Sequence, residues 1–377
     1  MLELDQDLAF DPASEEEFFS LLAAGPAVCL IQPRDTKAEP YLIRTADLRR
    51  RLQRLLGPPA AADKRLNLRD FAAGIRYRAT GSSFEQAVVY YVHARRIFPG
   101  RYREMMRLKP PAVLKVNLRN AYPRCYVTRR IPVGAGGEPV GGVYYGPFAS
   151  RRTAAEFAEN ALDFFKVRRC QIKIRRDPAF PGCLYSEMKM CLAPCFAGCS
   201  KEEYDVEVGR LVQFLESGGD SLRAELERER DLASSQMEFE RAASLHKRLE
   251  KLDRALRMRS DLTRRIPELA AVILQKAAAA RTVAMYVLAE GKLNEPVQLD
   301  FSDSSPEPRS AEEMVRRGLE QRAPLPDADL SEHLALVARW FYRAPREGEI
   351  LFQTSDWPYR RILRACSRLL AEPAGGH

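Results

Sequence analysis

A chain of 377 residues, 46% hydrophobic and 29% charged, is long enough for two or three compact units with ordinary buried cores. The 60 Lys and Arg outweigh the 51 Asp and Glu to give a net charge of +9, which suits a polyanionic partner because basic surface releases counterions when it meets phosphates. No apolar run approaches the roughly 18 residues that a membrane span needs, and residues 1–5 lack leader character, so the expectation is a cytoplasmic chain with no membrane partner. Its eight cysteines are then expected as thiols rather than disulfides.

In chain order, a helix is expected at 14–24, opening with Ser14 and three glutamates, then strands at 27–31 and 41–43. A basic helix at 46–56 carries Arg49, Arg50, Arg51 and Arg54 and stops at Gly57-Pro58-Pro59. A strand at 74–79 precedes a helix capped by Ser82-Ser83 that runs to about Arg96. Alternating apolar and polar residues predict three strands, at 112–118, 125–131 and 143–145. Ser150 opens an amphipathic helix to about Val167, and a proline-rich, loop-like cysteine segment follows.

Ser200-x-x-Glu203 has capping-box spacing and starts a helix that Gly218-Gly219 ends. Between 220 and 258 there is no Gly or Pro, and apolar residues recur every three or four positions in two stripes, which predicts two antiparallel helices. Beyond 265 a hairpin turned at Glu290-Gly291 (282–288 and 293–301), a loop at 303–308 and helices at 311–319, 331–343 and 359–370 are expected. The carboxylates there, Asp300, Asp303, Glu307, Glu312 and Glu313, read as solvated. The expected fold class is α/β plus α in four segments: 1–105 a small α/β domain, 106–218 a middle domain with the cysteines, 219–260 a helical hairpin and 265–377 an α+β domain.

Cys170-x12-Cys183-x7-Cys191-x3-Cys195 is an all-cysteine set, with Cys199 four residues on and no histidine nearby. Thiolates are soft ligands suited to iron–sulfur centres or zinc. Structural zinc sites favour two close pairs, and here only the last pair is close, so a [4Fe–4S] cluster is expected ahead of zinc. Lys166, Arg168, Arg169, Lys173, Arg175 and Arg176 crowd the same stretch and either meet a DNA backbone, rim the surface or balance a negative cluster. Cys29, Cys125 and Cys366 read as small core residues.

Tyr144-Tyr145-Gly146-Pro147-Phe148, then Arg169-Cys170, then Cys183-Leu184-Tyr185 through Lys189, Cys191 and Ala193-Pro194-Cys195, resembles the middle of the C subunit of the bacterial UvrABC excinuclease. In that family the four matching cysteines ligate a [4Fe–4S] cluster. Met237-Glu238-Phe239-Glu240-x-Ala242-Ala243-x-Leu245 resembles the UVR motif, a hairpin that pairs with a like hairpin of the B subunit. The resemblance implies partner contacts at Phe239, Ala242, Leu245 and Leu249, and the basic surface is expected to give DNA contacts at Arg44, Arg49, Arg50, Arg95, Arg96, Arg168 and Arg169.

The first domain resembles a GIY-YIG nuclease that has lost site residues. Cys29 stands where a tyrosine is expected; Tyr41 and Arg51 match the family's second tyrosine and its arginine. Tyr90 takes the place of the metal-binding glutamate and Arg103 that of the asparagine. Glu85 lies five residues earlier, about 140° round the helix from the required face. Without the glutamate nothing holds the metal that polarises the phosphate, so Tyr41 and Arg51 are expected as a vestigial site. The segment after 265 is too short for the family's second, RNase H-like nuclease. The architecture resembles Cho, a shorter relative, which however usually lacks the hairpin. The expectation is an excision-repair protein that binds DNA and a UvrB-like subunit without cutting; an active nuclease making the 3′ incision, or a regulatory scaffold with no role on DNA, are the alternatives.

Overall fold

The computed structural model describes residues 2–59, 65–302, 310–320, 323–325 and 329–371, so the loop expected at 303–308 lies outside the described residues. The chain is a mixed α/β protein that gathers into two compact units. One joins Met1–Leu108 to Ala270–Ala328 and Arg343–His377; the other joins Lys109–Leu269 to Asp329–Tyr342. The segment 265–377, expected as one tail domain, is thus divided between them.

In the first unit a four-stranded antiparallel sheet runs in the order Gln6–Ala9, Ala72–Ala79, Ala27–Pro33, Tyr41–Thr45. The strand Gln6–Ala9 was not expected; it is a short edge strand with no buried residue and so shows no alternation. Helix Leu48–Leu56 begins where Asp47 accepts the Arg50 N–H and buries Leu48, Leu52, Leu55 and Leu56 in a core with Cys29, Ile31 and Ile75. Helix Ser83–Ile97 begins at Ser82, whose side chain accepts the Glu85 N–H.

The same unit holds a second antiparallel sheet, with Thr282–Ala289 paired to Ala271–Lys276, Lys292–Leu293 and Val297–Asp300, and Glu349–Phe352 on the far edge of Ala271–Lys276. The hairpin turns at Glu290-Gly291, both at positive φ, as expected. Helices Ala311–Glu320 and Tyr359–Ala371 bury Val315, Leu319, Ile362 and Leu369 against that sheet. Gly81 lets the two sheets meet: a Cβ there would come within 2.2 Å of the Ala277 backbone.

The second unit is built on the antiparallel sheet Cys125–Thr128, Ala112–Val116, Val143–Phe148, Arg264–Arg265. Helix Arg151–Leu162, capped by Ser150, buries Ala154, Phe157, Ala158 and Ala161 in its core. The capping box at Ser200 and Glu203 forms as expected and starts Lys201–Glu216. Helices Asp220–Ser235 and Phe239–Leu256 form the hairpin, their inward stripes being Leu222, Leu226 and Ala233 against Leu245, Leu249 and Leu252. Helix Leu330–Phe341 joins this unit, where the Tyr342 hydroxyl donates to Pro147 O (2.9 Å) and meets Ser260 Oγ (2.6 Å).

Candidate functional site

The cysteine segment is a shaped loop in the second unit. Lys189, Ala193 and Ala197 all hold positive φ without being glycine, a conformation that persists only where surroundings impose it. Those surroundings are backbone bonds: Leu192 N–H to Lys166 O (3.0 Å), Asp177 N–H to Cys195 O (2.9 Å) and Gly198 N–H to Ala193 O (3.0 Å). Cys183 opens a single helical turn, its N–H donating to Ser186 Oγ at 3.0 Å. Cys170, Cys183 and Cys191 are half-buried and Cys195 is buried.

Cys191 and Cys195 each lie within electrostatic range of Cys170 and Cys183. Burial pushes the Cys191 thiol up to about 11, and Cys170, Cys183 and Cys195 push it the same way. Cys195 is raised by burial and, more weakly, by Cys183 and Cys170. Two donors point at sulfur: Ala193 N–H at Cys191 Sγ (3.3 Å) and Arg168 Nη1 at Cys170 Sγ (3.6 Å). Four soft donors on one loop are the ligand type that an all-cysteine iron–sulfur centre uses. Among the described residues no group of three or more His, Cys, Asp or Glu side chains is spaced to hold a metal ion. Cys199 is buried in the unit's core, where burial raises its thiol.

The arginines expected on DNA divide sharply. Arg168 is 5% exposed, with Nε donating to Tyr122 O (2.9 Å) and Nη1 to Ile172 O (2.8 Å), so it is an internal strut and not a surface contact. Arg169 pairs with Asp163 at 2.7 Å. Arg49 donates through Nε to Leu22 O at 3.0 Å, tying down the end of helix Glu15–Leu21. Arg95 bonds the Tyr91 hydroxyl (2.6 Å), and Arg96 pairs with Glu3 (3.2 Å). Arg44 and Arg50 are exposed, Arg44 with its guanidinium 5.7 Å from the centre of the Tyr90 ring. Sequence composition cannot separate these fates, because each depends on a neighbour distant in the chain.

In the first unit the structure gathers Tyr41, Arg44 and Tyr90. Burial raises the Tyr90 phenol, Arg44 opposes the rise, and Tyr41 adds to it. Tyr41 is 36% exposed at the sheet edge; Arg51 is half-buried on the neighbouring helix. Cys29 is fully buried in the core, and burial raises its thiol well above the usual range. Arg103 lies over the Tyr102 ring at 5.4 Å.

Glu85 faces elsewhere. Its carboxylate is buried, accepts the Gly81 N–H at 2.8 Å and sits 3.8 Å from Arg78. Burial raises its pKa more than Gly81 and Arg78 lower it. The helical phase that sets Glu85 apart from position 90 in the sequence is thus the one observed.

On the hairpin, Phe239 is 69% exposed and Ala242 half-buried, whereas Leu245 and Leu249 pack inward, so they hold the two helices together and present no surface. Met237 and Leu232 join Phe239 as exposed apolar residues around the turn. The inward stripe was legible as helical periodicity, but which of the four residues stay exposed was not. Among the described residues no helix is long and apolar enough to cross a membrane.

Residues 112–214 match the family model of the UvrC/Cho excinuclease, middle domain. The chain is similar to the UvrABC system protein C of Carboxydothermus hydrogenoformans, at 30% identity over 226 residues, 59% of this chain and 36% of that protein. It is similar to the UvrABC system protein C of Saccharopolyspora erythraea at 32% over 190 residues (49% and 25%), and to that of a Thermoanaerobacter species at 28% over 182 residues (48% and 29%). The chain thus spans about a third of the length of the curated relatives it matches. No solved structure matches it.

Proposed function

We propose that this relative of the UvrC proteins, similar to them through its middle domain, is a nucleotide excision repair protein that binds DNA and a UvrB-like subunit and does not itself cut. The match over 112–214, which contains all four cysteines, is the observation that carries the reading. Cys170, Cys183, Cys191 and Cys195 would hold a [4Fe–4S] cluster, whose chemistry there is to staple a loop that lacks regular structure over most of its length. Arg168 then acts twice, donating to Cys170 Sγ and linking residues 122 and 172 across the loop's base.

The exposed Leu232, Met237 and Phe239 support a partner-binding role for the hairpin, since an apolar turn left open to solvent favours docking of another helical surface. The degenerate GIY-YIG reading supports an uncut substrate. Tyr90 offers a phenol kept neutral by burial where a metal needs a carboxylate, and Glu85 is committed to Gly81 and Arg78. Tyr41 and Arg51 alone could touch a phosphate but could not hold a cation.

Binding of the chain to duplex DNA at low salt, together with its capture on immobilised B subunit, tests the reading. Both should occur, and Phe239→Ala should weaken capture without affecting DNA affinity. Absence of both would instead favour a scaffold that works away from DNA.

A further inference from the structure

A groove of about 430 Å³ in the second unit lies between the loop at 117–124 and the stretch 171–174 that follows Cys170. Asn117, Asn120, Tyr122, Arg124, Gln171 and Lys173 supply its polar lining, and no carboxylate lines it. The chain as a whole has 51 acidic residues against 60 basic ones, so an acid-free polar groove is a local departure from the surface average.

Its walls are fixed rather than loose. The Asn117 side-chain oxygen accepts the Arg124 N–H at 2.6 Å, and Asn120 N–H returns to Asn117 O at 3.0 Å. Tyr204, fully buried, donates to Pro123 O (2.7 Å) and accepts the Arg168 N–H (3.0 Å). The Arg168 guanidinium bridges the walls through Tyr122 O and Ile172 O. It is a buried cation whose hydrogen-bond partners are two carbonyls and a thiol, with no carboxylate among the described residues.

The mouth carries charge and aromatic surface together. Arg124 lies 4.4 Å from the Tyr126 ring centre, and Tyr122 packs edge-on to Tyr204 at 5.4 Å. Arg124 and Lys173 have no acidic partner among the described residues, unlike Arg96, Arg101 and Arg169 elsewhere. Arg119 within the first wall segment and Arg175, the residue after the second, are both exposed.

We propose that this groove binds the sugar–phosphate backbone of a single-stranded nucleic acid, with Arg124 and Lys173 on phosphates and Tyr122 offering a stacking face. Fixed donors, cations without acidic partners and a ring in one groove are what a strand without sequence preference requires. The groove volume is that of a small-ligand site, enough for a nucleotide or two of an extended strand and too small for a duplex. The proposal rests on the DNA-binding reading above and adds the surface and the strand form.

The test is a salt titration of the full chain against a labelled single-stranded oligonucleotide, followed by fluorescence anisotropy. The double variant Arg124→Gln with Lys173→Gln should bind at least about 10-fold more weakly near 0.1 M salt. Its log K against log salt slope should be shallower by about 1.4, two single-strand phosphate contacts' worth. Arg316→Gln, an exposed arginine of the other unit, should leave both values unchanged. Arg124→Lys should restore most of the slope. If the double variant binds like the wild type while the wild type binds DNA, the groove assignment is overturned and the repair reading stands. Equal binding of polyglutamate of matched charge, or equal loss of duplex affinity in the double variant, would also overturn it. If the wild type binds no DNA at any low salt, the underlying reading falls first.

Discussion

Removing one hydroxyl should loosen the whole base of the cysteine loop. The Tyr204 hydroxyl is fully buried, donates to Pro123 O and accepts the Arg168 N–H, and burial raises its pKa well above the usual tyrosine range, so it remains a donor at neutral pH. Tyr204→Phe keeps the ring and its edge contact with Tyr122 but strands one buried carbonyl and one buried amide N–H. Two lost bonds at about 1 kcal/mol each, plus incomplete resolvation of the stranded groups, give about 2–4 kcal/mol. For a unit of this size that is a fall in Tm on the order of 5–10 °C. Tyr122→Phe is the matched control, because the Tyr122 hydroxyl bonds nothing among the described residues, and it should shift stability by less than about 0.5 kcal/mol. Thermal and urea unfolding followed by circular dichroism measure both. Equal Tm values for Tyr204→Phe and wild type would refute the claim that this hydroxyl joins the two walls.

Glu85 should impose a pH dependence of the opposite sign to an ordinary paired carboxylate. Its folded-state pKa lies above the unfolded one, so the folded state holds the proton more tightly and the contribution to stability is lost as pH rises through the folded value. Glu85→Gln should therefore gain on the wild type in Tm as pH rises above the ordinary glutamate range; a Tm difference that does not change with pH, or moves the other way, would contradict this. Tyr286 is fully buried and its hydroxyl has no partner among the described residues, so Tyr286→Phe should be neutral or stabilising by up to about 1 kcal/mol in urea unfolding. A loss of more than about 1 kcal/mol would reveal a hidden partner. On the hairpin, Leu249→Ala should cost about 2–4 kcal/mol and Phe239→Ala less than about 0.5 kcal/mol, since one is in the core and the other in solvent. Finally, protein prepared anaerobically should absorb near about 400 nm and contain iron, whereas a colourless protein carrying zinc would overturn the cluster assignment.

Much of the architecture was legible because local chemistry dictates it. Ser82, Ser150 and Ser200 cap helices where their side chains can take an N–H, and Gly291 marks the hairpin turn because glycine takes positive φ freely. The hairpin helices followed from the spacing of Leu222, Leu226, Leu245 and Leu249. What the sequence hid is what depends on distant partners. The strand Gln6–Ala9 has one apolar side chain facing the core and exists through its register with Ala72–Ala79. Helix Leu330–Phe341 declares itself apolar but not which unit it joins.

The site residues follow the same division. The cysteine spacing was plain, and the different surroundings of Glu85 (Gly81 and Arg78) and Tyr90 (Arg44) accord with their helical phase. The role of Arg168 could not be read from its neighbours in sequence, because Tyr122 O and Ile172 O become its acceptors only once the two loops meet. Nor did any motif announce the acid-free groove, which arises from residues about 50 positions apart.

The central claim, a UvrC-like protein that engages DNA without cutting it, is tested most directly by incubating the chain with supercoiled plasmid and Mg²⁺ or Mn²⁺, with and without the A and B subunits and a lesion. A retarded but uncut plasmid is expected in every case. Nicking by the chain that Tyr41→Phe abolishes would contradict it.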